Sequence, residues 1–232
     1  MLMQTYQDRR MEIAEYFDRT AVDAWARLTS NAPVSRIRAT VRAGRERMRS
    51  TLLSWLPGDL RGMRLLDAGC GTGALAVEAA QRGAEVVAVD ISPTLIEIAK
   101  QRMPQLGAVG ALRFEAGDML DTCWGSFDYV VAMDSLIHYR AADVVRCVTA
   151  LAPRTSRAIL LTYAPRTPAL AAMHAVGRLF PRGDRAPAIE PVEGARLVRS
   201  LRDEALLSGW QGGRSQRVSS GFYTSQALEW LR

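Results

Sequence analysis

Glycines at alternate positions form the segment of this sequence best suited to bind a ligand. Residues 65–73 read LLDAGCGTG, so Gly69, Gly71 and Gly73 follow an apolar stretch that contains Asp67. Glycine carries no side chain, which lets a ligand lie against the backbone N–H groups of the turn. Glycines that served only tight turning and helix packing would not account for the neighbouring acid. The pattern therefore predicts a small-molecule site at the end of a strand.

Acidic residues accompany three successive predicted strands. Asp67 lies in the first, Asp90 ends the second and Asp118 ends the third. The spacing D-x-G-x-G-x-G, from Asp67 to Gly73, resembles motif I of S-adenosylmethionine (SAM) methyltransferases. In that class an acid and free N–H groups meet the methionine part of SAM, a second acid accepts both ribose hydroxyls, and a third acid or polar group meets the adenine amine.

An NAD-dependent dehydrogenase is the alternative for such a turn. An acid about 20 residues beyond the glycines, as at Asp90, is common to both classes. The G-x-G-x-G spacing and the third acid, Asp118, favour SAM. The predicted SAM site consists of residues at the ends of the first four strands: Asp67, Gly69, Cys70, Gly71, Gly73, Asp90, Ile91, Asp118, Met119 and Met133.

The elements that must position these residues alternate between strands and helices. Ser92 and Pro93 are a typical N-cap and first residue of a helix. The alternation predicts an α/β fold, a Rossmann-like, mostly parallel sheet of about seven strands with helices on both faces. We expect the last two strands beyond residue 210, although a terminal helix from Ser225 is an alternative. The other predicted strands are 64–69, 84–90, 111–118, 127–134 and 157–165, and the predicted helices of this part are 73–83, 93–103, 141–152 and 193–209.

Two regions fall outside this alternation. Residues 1–56, with two helical stretches, are predicted to form an N-terminal arm or lid before a core at 57–232. Residues 164–192 contain a predicted helix at 167–180 and a loop rich in Pro and Arg. We expect them to form an insertion after the fifth strand that caps the substrate.

Composition narrows the classes of function. A chain of 232 residues that is 48% hydrophobic suits one sizeable domain. It has no apolar run of about 18 residues and no secretory signal, so we expect a cytoplasmic protein. Three cysteines and two histidines suit neither a disulfide framework nor a metal site.

The net charge is +6, with 29 Arg among 30 basic residues. Their scatter and the lack of an RNA-binding motif argue against nucleic acid, whereas an anionic substrate, an acidic partner or a membrane surface stays open.

Segments along nearly the whole chain carry a more specific resemblance. They are EYFDRTAVDAWARL (15–28), VRAGRERM (41–48), LDAGCGTG (66–73), VVAVDIS (86–92), MDSLIHY (133–139), APRTPAL (164–170), LFPRGDRAP (179–187) and FYTSQALEWLR (222–232). Together they resemble the magnesium-protoporphyrin IX O-methyltransferases of (bacterio)chlorophyll synthesis. The glycine turn alone would identify only a superfamily.

The resemblance implies methyl transfer from SAM to one propionate of magnesium-protoporphyrin IX, with the monomethyl ester and S-adenosylhomocysteine as products. Magnesium belongs to the substrate, and no protein-bound metal is expected. A propionate resembles the side chain of Glu, whose reference pKa is about 4.3, so it is ionised at neutral pH and needs no base. His138 in MDSLIHY is expected to hold or orient this carboxylate. The alternative is a hydrogen-bonded histidine at a helix start.

One position departs from the family pattern. Much of the family has a Tyr four residues after the Trp of the N-terminal block, thought to act with the His, and Thr29 stands there in this chain. Either that Tyr is not essential, or Thr29 or Tyr16 substitutes for it. Met48 and Leu179 are further apolar candidates for contact with the ring. The predicted contacts with the porphyrin and its free propionate are Trp25, Tyr139, Arg166, Met173, Phe180, Arg182 and Arg185.

The resemblance also implies surroundings. The porphyrin-binding subunit of magnesium chelatase is a candidate partner, and the protein is expected to work near the photosynthetic inner membrane. Two other functions stay open: a SAM-dependent O-methyltransferase that acts on another small carboxylate or a quinone-like acceptor, and a catalytically silent porphyrin carrier. Intact glycines and acids favour turnover over the carrier.

Overall fold

The fold is built on one seven-stranded sheet. A computed structural model describes residues 2–20, 29, 33, 35–103, 110–166 and 189–232. The strand order is β3-β2-β1-β4-β5-β7-β6, with β1 to β5 parallel and β7 antiparallel to both of its neighbours. The predicted mostly parallel sheet is confirmed. The strands are β1 (Arg64–Ala68), β2 (Glu85–Asp90), β3 (Ala111–Ala116), β4 (Phe127–Ala132), β5 (Thr155–Tyr163), β6 (Gln211–Ser220) and β7 (Tyr223–Leu231).

Helices cover both faces of the sheet, as predicted. Successive strand residues point to opposite faces, so Leu65 packs among α2, α3 and α4, and Leu66 packs among α5 and α6. Both leucines are essentially inaccessible. The helices are α1 (Leu2–Glu15), continued by a π-helical turn (Tyr16–Thr20), α2 (Arg36–Ser54), α3 (Ala74–Gln81), α4 (Pro93–Arg102), α5 (Ala141–Leu151) and α6 (Gly194–Arg202).

Helix α2 belongs to the packed core. Its residues Met48, Leu52 and Leu53 have no exposed surface and pack with the sheet. At Gly44 a Cβ would collide with the ring of Tyr223, which shows how closely α2 approaches β7. The interpretation of Met48 as a porphyrin contact is wrong, because its side chain is enclosed between helix and sheet. The division at residues 56 and 57 stays a prediction.

Several predicted boundaries move for local reasons. The helix predicted at 193–209 ends at Arg202 and is followed by a short 3₁₀ turn, Ala205–Leu207. Leu197 and Leu201 are buried one turn apart, but the helix would next present Glu204 and Ala205 to the core. The chain therefore turns and buries Leu207 instead. The alternative of a terminal helix from Ser225 is wrong, because β7 pairs on both sides.

The topology creates a crevice where the strand order reverses. β1 is followed along the chain by β2 on one side, whereas β4 and β5 lie on the other. Ligands of parallel α/β sheets bind at this point, beyond the carboxyl ends of the strands. The glycine turn after β1 and the segment after β4 both lie there. The predicted helix at 167–180 falls outside the described residues.

Candidate active site

A cavity opens to solvent at the switch point of the sheet. Ligands of this type of sheet are expected at this place. Most of the predicted SAM contacts line it, together with two of the residues predicted on the acceptor side. The predicted residues that line the cavity are Gly69, Gly71, Asp90, Ile91, Asp118, Met119, Met133, His138 and Tyr139.

The glycine turn is tied to β2 by its backbone. Gly69 N–H donates to Val89 O at 2.8 Å, and Gly71 N–H donates to Asp90 Oδ2 at 2.7 Å. The other oxygen of Asp90 accepts the N–H of Ser92 at 3.0 Å. Gly69 has φ of 84°, and a Cβ there would collide with the side chain of Ser135. Asp90 thus lines the cavity and also holds the glycine turn in place by accepting the backbone N–H of Gly71.

Asp67 lies in β1, two residues before Gly69, and is 2% exposed. Its Oδ2 has no hydrogen-bond partner among the described residues. Burial, and secondly the negative charge of Asp90, raise the pKa of Asp67 to about 7, against a lowering contribution from the N–H of Ala76. Within the described chain, Asp67 is absent from the cavity wall, as are Cys70 and Gly73. Its carboxyl instead accepts the N–H of Ala76 near the start of α3.

The pH dependence of stability should report on Asp67. In the folded protein its carboxyl keeps a proton up to about pH 7, whereas the ordinary pKa is 3.8. Between these values the folded state binds more protons than the unfolded state, so the free energy of unfolding falls as pH rises, by about 1.4 kcal/mol per unit at most. Asp67→Asn, which cannot ionise, should lose this component.

Thermal unfolding of the ligand-free wild type and Asp67→Asn across about pH 4 to 8 measures the difference. The melting temperature of the variant, relative to that of the wild type, should increase as pH rises. Parallel curves for the two proteins would contradict the raised pKa.

Helix α1 forms the roof of the cavity. Tyr6, Arg10, Ile13 and Phe17 line it. The hydroxyl of Tyr6 donates to Asp118 Oδ1 at 2.9 Å, and Arg10 forms an ion pair with Asp118 Oδ2. Tyr6 and Arg10 are not among the site residues predicted from the sequence. Tyr6, Arg10, Ile13 and Phe17 follow one another at intervals of four, three and four residues. This spacing places them on one face of a helix and is the sequence signal that could have identified them.

Two tyrosines close one end of the cavity. The rings of Tyr6 and Tyr139 stack with centroids 5.2 Å apart and planes 23° from parallel. Burial is the largest cause that raises the pKa of both phenols above the ordinary value of 10. Both hydroxyls therefore stay protonated, which suits contact with a flat apolar ligand and polar edge groups.

His138 lies in the short turn Leu136–His138 after β4 and is 8% exposed. Its ring meets the ring of Phe17 edge-on, 6.1 Å between centroids. Its carbonyl oxygen accepts Nε of Arg9 at 2.9 Å. The histidine also lines a second, polar hollow on its other side. The remaining residues of that hollow are Asp8, Arg9, Glu12, Arg140, Asp143 and Glu190.

Other predicted site residues lie elsewhere. Within the described chain, neither Tyr16 nor Thr29 lines the cavity. Thr29 Oγ1 accepts Nη1 of Arg102 at 3.1 Å, at the end of α4. Arg166 is exposed and away from the cavity wall. The predicted contacts that lie outside the described residues are Trp25, Met173, Leu179, Phe180, Arg182 and Arg185.

The cavity also contains an ion pair that is not predicted from the sequence. Arg45 Nη1 lies 2.6 Å from Asp134 Oδ2, and both residues line the cavity beside the glycine turn. Arg45, Met48 and Leu52 have the spacing of a helix face directed at the sheet, which is the signal that could have identified this arginine.

The polar groups of the cavity fit SAM. Asp90 and Asp118 offer carboxylate oxygens, which suit hydroxyl and amine donors, and a carboxylate has about four acceptor positions, so existing bonds leave capacity. Arg45 brings a guanidinium to the glycine turn, which suits a carboxylate. Among the described residues, no cluster of three or more His, Cys, Asp or Glu side chains could hold a metal ion.

Known proteins share this architecture along the whole chain. Residues 132–232 match the family described as magnesium-protoporphyrin IX methyltransferase C-terminus, and residues 65–155 match a methyltransferase domain family. The magnesium-protoporphyrin O-methyltransferase of Rhodobacter capsulatus is 50% identical over 97% of both chains. Crystal structures of magnesium protoporphyrin IX methyltransferase from Synechocystis PCC 6803 are also similar. The structure with bound SAH has a TM-score of 0.83 at 30% identity, covering 96% of this chain and 99% of that one. The structure with bound SAM has a TM-score of 0.79 at 27% identity, covering 97% of each. The chain therefore belongs to the magnesium-protoporphyrin O-methyltransferase family.

Proposed function

We propose that this protein transfers the methyl group of SAM to a propionate carboxylate of magnesium-protoporphyrin IX. The products are the monomethyl ester and S-adenosylhomocysteine. The observation that carries the proposal is that Asp90, the glycine turn and His138 line the same cavity, in a chain that matches the Rhodobacter capsulatus enzyme nearly end to end.

The chain's own groups divide into a cofactor side and an acceptor side. Asp90 is proposed to accept the ribose hydroxyls, Asp118 the adenine amine, and Arg45 to meet the carboxylate of the methionine part. SAM supplies a methyl group made electrophilic by the positive sulfur. Each assignment pairs a protein group with the complementary charge or hydrogen-bonding group of the ligand.

On the acceptor side, His138 is proposed to orient the propionate. A carboxylate that is ionised at neutral pH can attack without a base, so the enzyme's task is alignment and exclusion of water. Alignment of this kind can lower a barrier by about 7–11 kcal/mol. Ile13 and Phe17 in the roof provide apolar surface over the reacting groups. The arm and the 164–192 insertion are proposed to complete the cover over the porphyrin.

Incubation with labelled SAM tests the function. Magnesium-protoporphyrin IX should yield a labelled monomethyl ester, with turnover beyond one equivalent of enzyme. A small aromatic carboxylate and a quinol serve as alternative acceptors. Methylation of those but not the porphyrin would overturn the substrate, and porphyrin binding without ester would indicate a carrier.

We further propose peripheral contact with an anionic membrane, from which an apolar porphyrin can enter. None of the described helices is long and apolar enough to cross a bilayer. Ile37 and Phe222 are 53% and 52% exposed, and Phe222 N–H lies 3.4 Å from Thr40 Oγ1, so the two side chains belong to neighbouring segments. Arg36 and Arg38 flank Ile37 and are exposed.

This surface lies at the carboxyl edge of β5, where β7 begins, on the side of the cavity. Cosedimentation with phosphatidylglycerol vesicles should exceed that with neutral vesicles and fall for Ile37→Ser/Phe222→Ser. Equal binding to both vesicle types would contradict the proposal. The porphyrin-binding subunit of magnesium chelatase remains the proposed protein partner.

A further inference from the structure

Asp134 has an unusual backbone conformation at the edge of the cavity. Its φ is 55°, and among the described residues it is the only non-glycine residue with positive φ. Aspartate tolerates this left-handed region better than most residues, but the conformation persists only where surrounding contacts hold it. Asp134 follows β4 by two residues and is not used in the methyl transfer derived above.

The contacts that hold Asp134 come from three elements. Its carboxylate, whose side chain is 2% exposed, accepts Arg45 of α2 at 2.6 Å, Tyr223 of β7 at 3.1 Å from each oxygen, and Ser225 of β7 at 3.2 Å. The hydroxyl of Thr162 on β5 accepts the N–H of Asp134 at 2.7 Å and donates to its carboxylate at 3.2 Å. Both the backbone and the side chain of this residue are therefore clamped.

The chain beyond Asp134 builds the acceptor side of the cavity. The next residue, Ser135, lies so close to the glycine turn that a Cβ at Gly69 would collide with it. The turn Leu136–His138 follows at once and brings His138 into the cavity. The direction in which the chain leaves Asp134 thus decides where Ser135 and His138 lie relative to the glycine turn.

We propose that Asp134 is a positioning residue: its clamped carboxylate locks the left-handed turn that seats Ser135 on the glycine turn and directs His138 toward the acceptor. This deepens the proposed function and rests on it for the identity of the acceptor. Asp134 acts through His138 and does not touch the reacting atoms. Arg45, which supplies the charged contact, links α2 to the same turn.

Three substitutions separate the clamp from the backbone conformation. Asp134→Gly keeps the left-handed conformation but removes the carboxylate, and should lower kcat by about 30- to 100-fold, because displacement of an aligned group by about 1 Å can cost 100-fold. Asp134→Asn keeps hydrogen-bonding oxygen and should recover part of that loss. Tyr223→Phe removes a single donor, keeps the packing, and should lower kcat about threefold. The dissociation constant for S-adenosylhomocysteine should change less than kcat in all three.

Coupling to His138 distinguishes positioning from general stability. In a His138→Asn background, Asp134→Gly should cost at most about threefold more, since residues that act through one another are not additive. Glu229→Gln is the matched control: Glu229 is another buried carboxylate, 3% exposed, paired with Arg214, and is not part of the cavity wall that the structure describes. This control should lower the melting temperature without lowering kcat of the folded protein.

A second readout does not depend on activity. The chain has two histidines, so the ring Hε1 signal of His138 can be assigned by its loss in His138→Asn. The chemical shift of this signal should change in Asp134→Gly and Tyr223→Phe, and should stay the same in Glu229→Gln. Equal fold losses for Asp134→Gly with and without His138, or an unmoved signal, would overturn the proposal. Absence of ester from the wild type, with the signal shift present, would overturn only the porphyrin function.

Discussion

Replacement of His138 by Asn is expected to lower kcat by about 100-fold or more, while the dissociation constant for SAM stays within about threefold. The reason is the position of the residue. His138 lies in the wall that follows β4, whereas the proposed acceptors for the ribose and adenine are Asp90, at the end of β2, and Asp118, after β3. Loss of the imidazole should leave the cofactor side intact and remove the group that orients the acceptor.

The dependence on pH separates orientation from proton abstraction. A carboxylate acceptor is already ionised, so kcat should vary little between about pH 6 and 8 if His138 only orients it. A required base would make kcat fall steeply toward the acid end of that range. Single-turnover kinetics at saturating SAM and porphyrin measure the profile. Full activity of His138→Asn would contradict the orienting role of this residue.

Most of the residues predicted to contact the cofactor line one cavity, and this convergence could be predicted because it depends on local sequence. Gly69, Asp90 and Asp118 each lie at or just beyond the carboxyl end of a strand, and parallel strands bring these ends to one edge. The chain therefore only had to alternate strand and helix for these residues to converge. No knowledge of side-chain packing was needed.

The roof could not be predicted in the same way. Tyr6, Arg10 and Phe17 line the cavity because α1 and its continuation lie against residues that follow β3 and β4. The sequence of α1 alone does not predict this packing. The helix also changes to a π-helical turn at Tyr16, so the apolar positions looked irregular in sequence. Tyr16 was predicted in a catalytic role, whereas its neighbour Phe17 faces the cavity and His138.

Asp134 shows a second limit. Its segment, MDSLIHY, was predicted to contain an acceptor-side residue, and the strand was expected to continue to residue 134. Instead β4 ends at Ala132, because the clamp on Asp134 involves α2, β5 and β7, separated from it by 28 to 91 residues. Contacts at such separation follow from the assembled sheet and have no local sequence pattern.

Replacement of Asp90 by Ala should raise the dissociation constant for SAM by about two to three decades. Two losses combine. Charge-assisted hydrogen bonds to the ribose contribute about 1.5–3 kcal/mol, and a buried N–H left without an acceptor costs about 1–3 kcal/mol. In this structure two N–H groups, of Gly71 and Ser92, would lose their acceptor. The glycine turn should then loosen, so the effect exceeds that expected for a ribose contact alone.

Asp90→Asn and Asp59→Ala make this prediction specific. Asn keeps one acceptor oxygen, so its dissociation constant should lie between those of wild type and Ala. Asp59 also accepts a backbone N–H, from Arg61 at 3.0 Å, but is exposed and absent from the described cavity wall; its loss should leave SAM binding unchanged.

Burial raises the pKa of Asp90, and protonation removes the charge that holds the hydroxyls. Wild-type affinity should therefore weaken as pH falls through that raised pKa, whereas Asp90→Asn should show a flatter profile in calorimetric titration. Equal affinities for wild type and Asp90→Ala would remove Asp90 from the cofactor site and reduce it to a brace of the turn.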